Sequence, residues 1–180
     1  QYGKANLKKL RQLARKIPWA QGWPGDSRAF WNAEAFMWRH KIKLKLRRAI
    51  EEELFSLREG KNLDLGCGAY SYLPSIGFDF SEKMLALNEH CIEKIQGDFE
   101  KSLPFPSGSF SSVTAIFVMN YVHNYQNLLN EIYRILKVKS TFVMVLSGSG
   151  VNDWAQQKEI NHFKEKDWTR VLQKASFNVK

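Results

Sequence analysis

Three acidic residues, Asp64, Asp79 and Asp98, each close a short apolar run, and glycines stand beside all three. The local sequences are Asn62-Leu-Asp-Leu-Gly-Cys-Gly68, Gly77-Phe-Asp-Phe-Ser81 and Gln96-Gly-Asp-Phe-Glu100. Gly66 and Gly68, with Cys67 between them, let a backbone turn sharply and approach a ligand with no Cβ in the way. An acid at the carboxyl end of a strand lies where open α/β sheets bind ligands, and Asp79 at the second strand end suits the two hydroxyls of a ribose. Asp98 at the third strand end can accept from a purine amino group, with Phe99 beside the base edge. Taken singly, each of these is also an ordinary turn or helix cap. Their common position and their order make them a site.

Other reactive side chains are sparse. The two cysteines, Cys67 and Cys91, and the four histidines, His40, His90, His123 and His162, show no metal-ligand spacing. No metal is expected. Both cysteines read as small buried side chains, which fits a reducing, cytoplasmic setting.

The elements that must position these residues follow from periodicity. Apolar runs at Asn62–Leu65, Ile76–Phe80, Ile92–Gln96, Ser112–Val118 and Thr141–Leu146 predict strands. Helical runs alternate with them at Ser81–His90, Asn124–Leu136 and Lys164–Ala175, with Ser81 as a cap. Such alternation predicts an α/β fold, a mostly parallel sheet between two helical layers. Upstream, Leu7, Leu10, Leu13, Ala14 and Ile17 lie on one face of a basic helix that Pro18 ends. A second helix is expected from about Arg28 to Leu57, breaking near Lys41 to Lys45 and capped by Asp26 or Ser27. The chain thus divides into an N-terminal helical extension over 1–57, a candidate lid, and a core over 58–180.

The 180 residues suffice for one well-buried domain. Composition is globular, with 44% hydrophobic and 25% charged residues. No apolar stretch approaches the roughly 20 residues of a membrane helix, and no secretory signal opens the chain. It begins at Gln1 rather than Met, so the start of the gene product is expected to lie upstream. The net charge of +9 is uneven: residues 1–50 carry +11 and the remainder −2. A basic arm of this kind suits RNA, another anionic partner or an anionic membrane surface, and is also what a plain solvated helix looks like.

The ordered run NLDLGCG, GFDFSEKML, IQGDFEKSLPFPSGSFSSVTAIFVMNYVHN and LLNEIYRILKVKSTFVMVL resembles the class I S-adenosylmethionine-dependent methyltransferases over about residues 58–180. The resemblance implies a Rossmann-like three-layer core that binds S-adenosylmethionine and releases S-adenosylhomocysteine. It implies that Asp64, Gly66, Cys67 and Gly68 surround the methionine end. Asp79 would hold the ribose, Phe80 and Phe99 would flank the adenine, Asp98 would meet its amino group, and Phe117 would touch the methionine portion. The segment FWNAEAFMW, residues 30–38, is similar to the aromatic helix that closes over the cofactor in many members, with Trp31 and Trp38 in that part. Asn120, Tyr121 and His123, just past the fourth strand, are the candidates for handling the acceptor, with Tyr121 and His123 as catalytic residues.

Several positions depart from that pattern. Tyr70 stands where the family often has a third glycine. Eleven positions separate Gly68 from Asp79, where roughly twenty are usual for such a unit, so the helix after the glycine loop is expected to be very short or absent. Ser111 replaces an acid, and Val138-Lys139-Ser140 replaces a Pro-Gly-Gly turn. The chain is expected to stop before a seventh strand. The short loop from Ser147 to His162 would leave the mouth open unless the N-terminal helices cover it. Three functions remain in view. The first is a methyltransferase acting on a small metabolite or RNA. The second is a catalytically impaired cofactor-binding module that supports a partner. The third is a nicotinamide enzyme, disfavoured by the missing third glycine.

Overall fold

The computed structural model describes residues 4–146 and 158–180. Five strands, β1 (Asn62–Leu65), β2 (Ser75–Asp79), β3 (Cys91–Gln96), β4 (Phe110–Ile116) and β5 (Leu136–Val145), form one sheet in the order β3-β2-β1-β4-β5. Every pairing in it is parallel. Six α-helices are described: α1 (Lys4–Ala14), α2 (Ser27–Lys41), α3 (Leu44–Glu53), α4 (Glu82–Leu87), α5 (Tyr125–Ile135) and α6 (Glu165–Lys174).

The sheet is a middle layer because its central strands are apolar on both faces. All four residues of β1 are buried, as a parallel strand between two helical layers requires. On one face Leu63, Leu65, Val113 and Phe78 meet Leu128, Leu129, Ile132 and Ile135 of α5, with Trp168 of α6 closing the layer. On the other face Ile116, Phe117 and Ala69 meet Ala35 and Trp38 of α2 and Ile50 and Leu54 near α3. Helices α2 and α3 therefore share a core with the sheet.

Local chemistry sets the element ends. The Asp26 carboxylate accepts from the Ala29 amide at 2.8 Å, Ser81 Oγ from the Met84 amide at 3.2 Å, and Asn124 Oδ1 from the Asn127 amide at 3.2 Å. Each such cap contributes about 1 kcal/mol. The long N-terminal helix breaks where expected, at Ile42 and Lys43, both extended.

The residues between Gly68 and β2 form no helix, in keeping with the short spacing. Helix α4 is shorter than the sequence suggests. The Asn88 amide folds back onto the Met84 and Leu85 carbonyls and ends it. Strand β5 begins earlier, at Leu136. Its register against β4 jumps from Phe110↔Leu136 to Ser112↔Thr141, and Lys139 takes φ 62° in the bulge. The Val138-Lys139-Ser140 sequence thus inserts a bulge instead of a turn. Of the loop expected over Ser147–His162, residues 147–157 lie outside the described residues. Residues 175–180 form no strand.

Candidate active site

The carboxyl ends of β1, β2 and β4 open into a narrow cleft lined by Gly66, Gly68, Asp79, Phe117 and Tyr121 among others. Its floor is the turn after β1. Gly66 and Gly68 both have left-handed backbones, φ 61° and 57°. A Cβ on Gly66 would lie 2.7 Å from a Val118 methyl, and one on Gly68 would lie 3.1 Å from Trp38 Nε1. Both positions thus exclude a side chain by conformation and by space.

Asp79 ends β2 and holds this turn. Its Oδ2 accepts from the Gly68 amide at 3.0 Å and its Oδ1 from the Ser81 amide at 2.8 Å. Burial pushes its carboxyl up to about 6, against the pull of the backbone donors at Ser81, Gly68 and Phe80. A carboxylate oxygen has more than one acceptor direction, so Asp79 keeps acceptor capacity toward the cleft that it lines.

The walls are aromatic. Trp38 meets Trp31 edge-on at 5.6 Å, and Trp31 meets Tyr121 edge-on at 5.0 Å. Phe80, Phe99 and Phe117 line the remainder. Phe117 carries φ 59°, an unfavourable conformation for a non-glycine residue, held by the hydrogen bond that its amide donates to the Val145 carbonyl at 2.8 Å. Burial raises the Tyr121 hydroxyl well above its ordinary range, with the charges of Glu159 and Glu34 adding to the effect. Tyr121 is therefore a neutral hydrogen-bond donor at physiological pH. Asp79 and Tyr121 are the titratable side chains among the described lining residues.

Of the expected site residues, the cleft gathers Gly66, Gly68, Asp79, Phe80, Phe99, Phe117 and Tyr121, together with Trp31 and Trp38. Four others lie off its wall. Asp64 is buried inside the fold, accepting from Ser71 Oγ at 2.6 Å and Thr114 Oγ1 at 2.8 Å. Burial raises its carboxyl to about 6, while those hydroxyls pull it down. It ties β1 to β4 and to the following loop. Cys67 turns away toward Cys91. A Cβ on Gly77 would run into both Cys91 Sγ and Cys67 Sγ. Asp98 closes its own turn, accepting from the Glu100 amide at 3.0 Å. His123 is exposed, and its amide donates to the Glu100 carboxylate. Asn120, the remaining candidate, accepts at Oδ1 from Trp168 Nε1 at 3.3 Å and so anchors α6.

Two asparagines do work that the sequence did not advertise. Asn32 Oδ1 accepts from Ser81 Oγ at 2.7 Å while its Nδ2 donates to the Trp19 carbonyl at 3.0 Å. This pins α2, and with it Trp31 and Trp38, over the site. Asn88 Nδ2 donates to the Gly68 carbonyl at 3.0 Å and to Ser71 Oγ at 3.1 Å, bracing the turn from behind. Polar side chains buried in apolar runs are the available signal for such struts, but their partners are distant in sequence. Among the described residues no cluster of His, Cys, Asp and Glu could hold a metal ion.

Residues 63–144 match a family described as a methyltransferase domain. A demethylmenaquinone methyltransferase of Listeria welshimeri is 32% identical over 117 residues, covering 54% of this chain and 49% of that protein. The chain spans about half the length of the curated relatives it matches. A SAM-dependent methyltransferase from Archaeoglobus fulgidus shares the fold at a TM-score of 0.63 and 17% identity, over 79% of this chain and 73% of the other. One from Aquifex aeolicus does so at 0.62 and 13%, over 83% and 89%. The matched segment runs from β1 into β5 and holds the glycine turn, Asp79, Phe80, Phe99, Phe117 and Tyr121, so the part of the chain that builds the cleft is the part similar to a methyltransferase domain.

Proposed function

We propose that the protein transfers a methyl group from S-adenosylmethionine to a flat, largely apolar acceptor held against the wall that Trp31 and Tyr121 form together. The observation that carries this reading is Asp79, a buried acceptor fixed beside a glycine turn with no room for a side chain. These residues fit the cofactor. Asp79 offers oxygen acceptors to a diol, Phe80 and Phe99 offer aromatic faces to a base, and the bare backbone at Gly66 and Gly68 accepts close approach.

The cofactor supplies a methyl group made electrophilic by a sulfonium. The protein then has to hold a nucleophile in line at roughly 3 Å and keep water out. Aromatic walls do both. Tyr121, protonated throughout the physiological range, donates a hydrogen bond to an acceptor oxygen and orients it. His123, on the solvent side, takes no part. The relatives named for demethylmenaquinone, whose name denotes a quinone, support a ring-shaped acceptor of that kind over RNA.

The test is titration with S-adenosylhomocysteine followed by transfer of labelled methyl to a panel of quinols and of tRNA. Micromolar binding with label entering a quinol supports the reading. Cofactor binding with no transfer to any acceptor would favour a supporting module, and label in tRNA would replace the acceptor class.

A further inference from the structure

Residues 35–50 read Ala-Phe-Met-Trp-Arg-His-Lys-Ile-Lys-Leu-Lys-Leu-Arg-Arg-Ala-Ile and carry six Lys/Arg with no acid. They form the end of α2, the corner at Ile42 and Lys43, and most of α3. Trp38 and Ile42 are buried and anchor the corner. Around them four apolar side chains face solvent: Phe36 at 51% exposure, Met37 at 54%, Leu44 at 63% and Leu46 at 42%. Lys43, Lys45 and Arg48 stand exposed among them. Lys41 is paired with Glu34, and Arg47 lies over the Tyr70 ring at 4.6 Å. Among the described residues no ion pair engages Lys43, Lys45 or Arg48.

One exposed leucine means nothing. Four exposed apolar side chains within residues 36–46, at a corner where Lys43, Lys45 and Arg48 are exposed too, are a different matter. Phosphates of a nucleic acid would take up the lysines, but methionine and leucine offer them nothing and stack poorly on bases. A lipid surface satisfies both halves, since anionic headgroups meet the cations and the acyl boundary takes the apolar tips. We propose that the α2–α3 corner docks the protein on an anionic membrane surface, with Phe36, Met37, Leu44 and Leu46 entering the headgroup layer and Lys43, Lys45 and Arg48 meeting lipid phosphates. Helix α2 also supplies Trp31 and Trp38 to the cleft wall, so docking there brings the rim of the cleft to the lipid. The inference is independent of the methyl-transfer reading, because no cofactor or turnover enters it.

The experiment is co-sedimentation of the full chain with vesicles of phosphatidylglycerol and phosphatidylcholine, with vesicles of phosphatidylcholine alone, and, in parallel, binding to mixed tRNA. Binding to the anionic vesicles is expected to be at least about tenfold tighter than to the neutral ones. Lys43→Gln/Lys45→Gln should weaken it by at least about tenfold. Phe36→Ser/Leu44→Ser should weaken it similarly, with circular dichroism reporting the fold of each variant. Phe36 also contacts Trp19, at 5.6 Å between ring centroids, so Leu44→Ser alone carries the apolar arm if the double variant is misfolded. Absence of vesicle binding by the folded chain overturns the proposal, and tRNA binding in that case assigns the basic face to nucleic acid. Vesicle binding that survives loss of the apolar side chains unchanged also overturns it, leaving charge adsorption alone.

Discussion

The Asp79 carboxylate and the Gly68 amide are joined by a hydrogen bond of 3.0 Å that spans from the end of β2 to the turn after β1. The bond gives Asp79 two tasks. It fixes the left-handed turn on the cleft floor, and it orients a charged acceptor toward whatever occupies the cleft.

Asp79→Ala should therefore weaken S-adenosylhomocysteine binding by at least about tenfold, or about 1.4 kcal/mol. It should also destabilise the fold by about 1–3 kcal/mol, since the Gly68 amide loses its buried acceptor. Asp79→Asn keeps an acceptor oxygen and should recover much of the stability but little of the affinity. Calorimetric titration and urea unfolding measure the two effects separately.

The buried carboxyls make both stability and binding depend on pH. Burial raises Asp64 and Asp79 from 3.8 to about 6 in the fold. Between those values the folded chain binds more protons than the unfolded one, so the contribution of these groups to stability falls as pH rises from about 4 to about 6. Glu131, held down at about 2 first by its hydrogen bond from Arg134, acts in the opposite sense and only below its ordinary 4.5. The urea midpoint should thus decline between pH 4.5 and pH 6.5, and Asp64→Asn should flatten that slope. Cofactor affinity should move the other way, rising through pH 6 as Asp79 ionises.

Gly66→Ala combines a left-handed backbone at φ 61° with a Cβ placed 2.7 Å from Val118. The conformation alone costs about 1–2 kcal/mol. Val118→Ala in the same chain should remove the clash and leave the conformational cost, so thermal unfolding of the double variant should lie between the single Gly66→Ala variant and the natural chain. Full recovery would show that strain at Gly66 is negligible.

Tyr121 and His123 are two residues apart, yet Tyr121 lines the cleft and His123 is exposed. Tyr121→Phe should lower kcat by about tenfold with S-adenosylhomocysteine affinity unchanged, the pattern of a group that orients the acceptor. His123→Ala should stay within about twofold of the natural chain. Steady-state kinetics on the acceptor identified by label transfer distinguishes the two.

Asn32→Ala should release α2 from Ser81 and cost about 1–3 kcal/mol through the unpaired Ser81 hydroxyl and Trp19 carbonyl. The emission of Trp31 and Trp38 should shift to the red if α2 lifts from the sheet, and an unchanged spectrum with unchanged cofactor affinity would remove Asn32 from the site's support.

What the sequence determined by itself was local. The apolar runs around Leu63, Phe78 and Val113 specify buried parallel strands because alternation with helical runs leaves few other ways to cover both faces. The break at Ile42, the cap at Ser81 and the absence of a helix before β2 are likewise written in spacing and residue type. So is the glycine turn, since Gly66 and Gly68 at a strand end admit backbone angles that other residues resist.

Only the tertiary structure decided which of the similar signals faces the cleft. Asp64 and Asp79 both lie at or near strand ends beside glycines, but the Ser71 and Thr114 hydroxyls hold the Asp64 carboxylate inside the fold, whereas the Gly68 and Ser81 amides hold Asp79 at the cleft floor. Those partners lie 7 and 50 positions away in the chain. Asn32 reaches Ser81 across 49 positions and Asn88 reaches Gly68 across 20. A side chain's role depends on which donors and acceptors folding brings within hydrogen-bond reach, and periodicity along the chain carries no record of those distances.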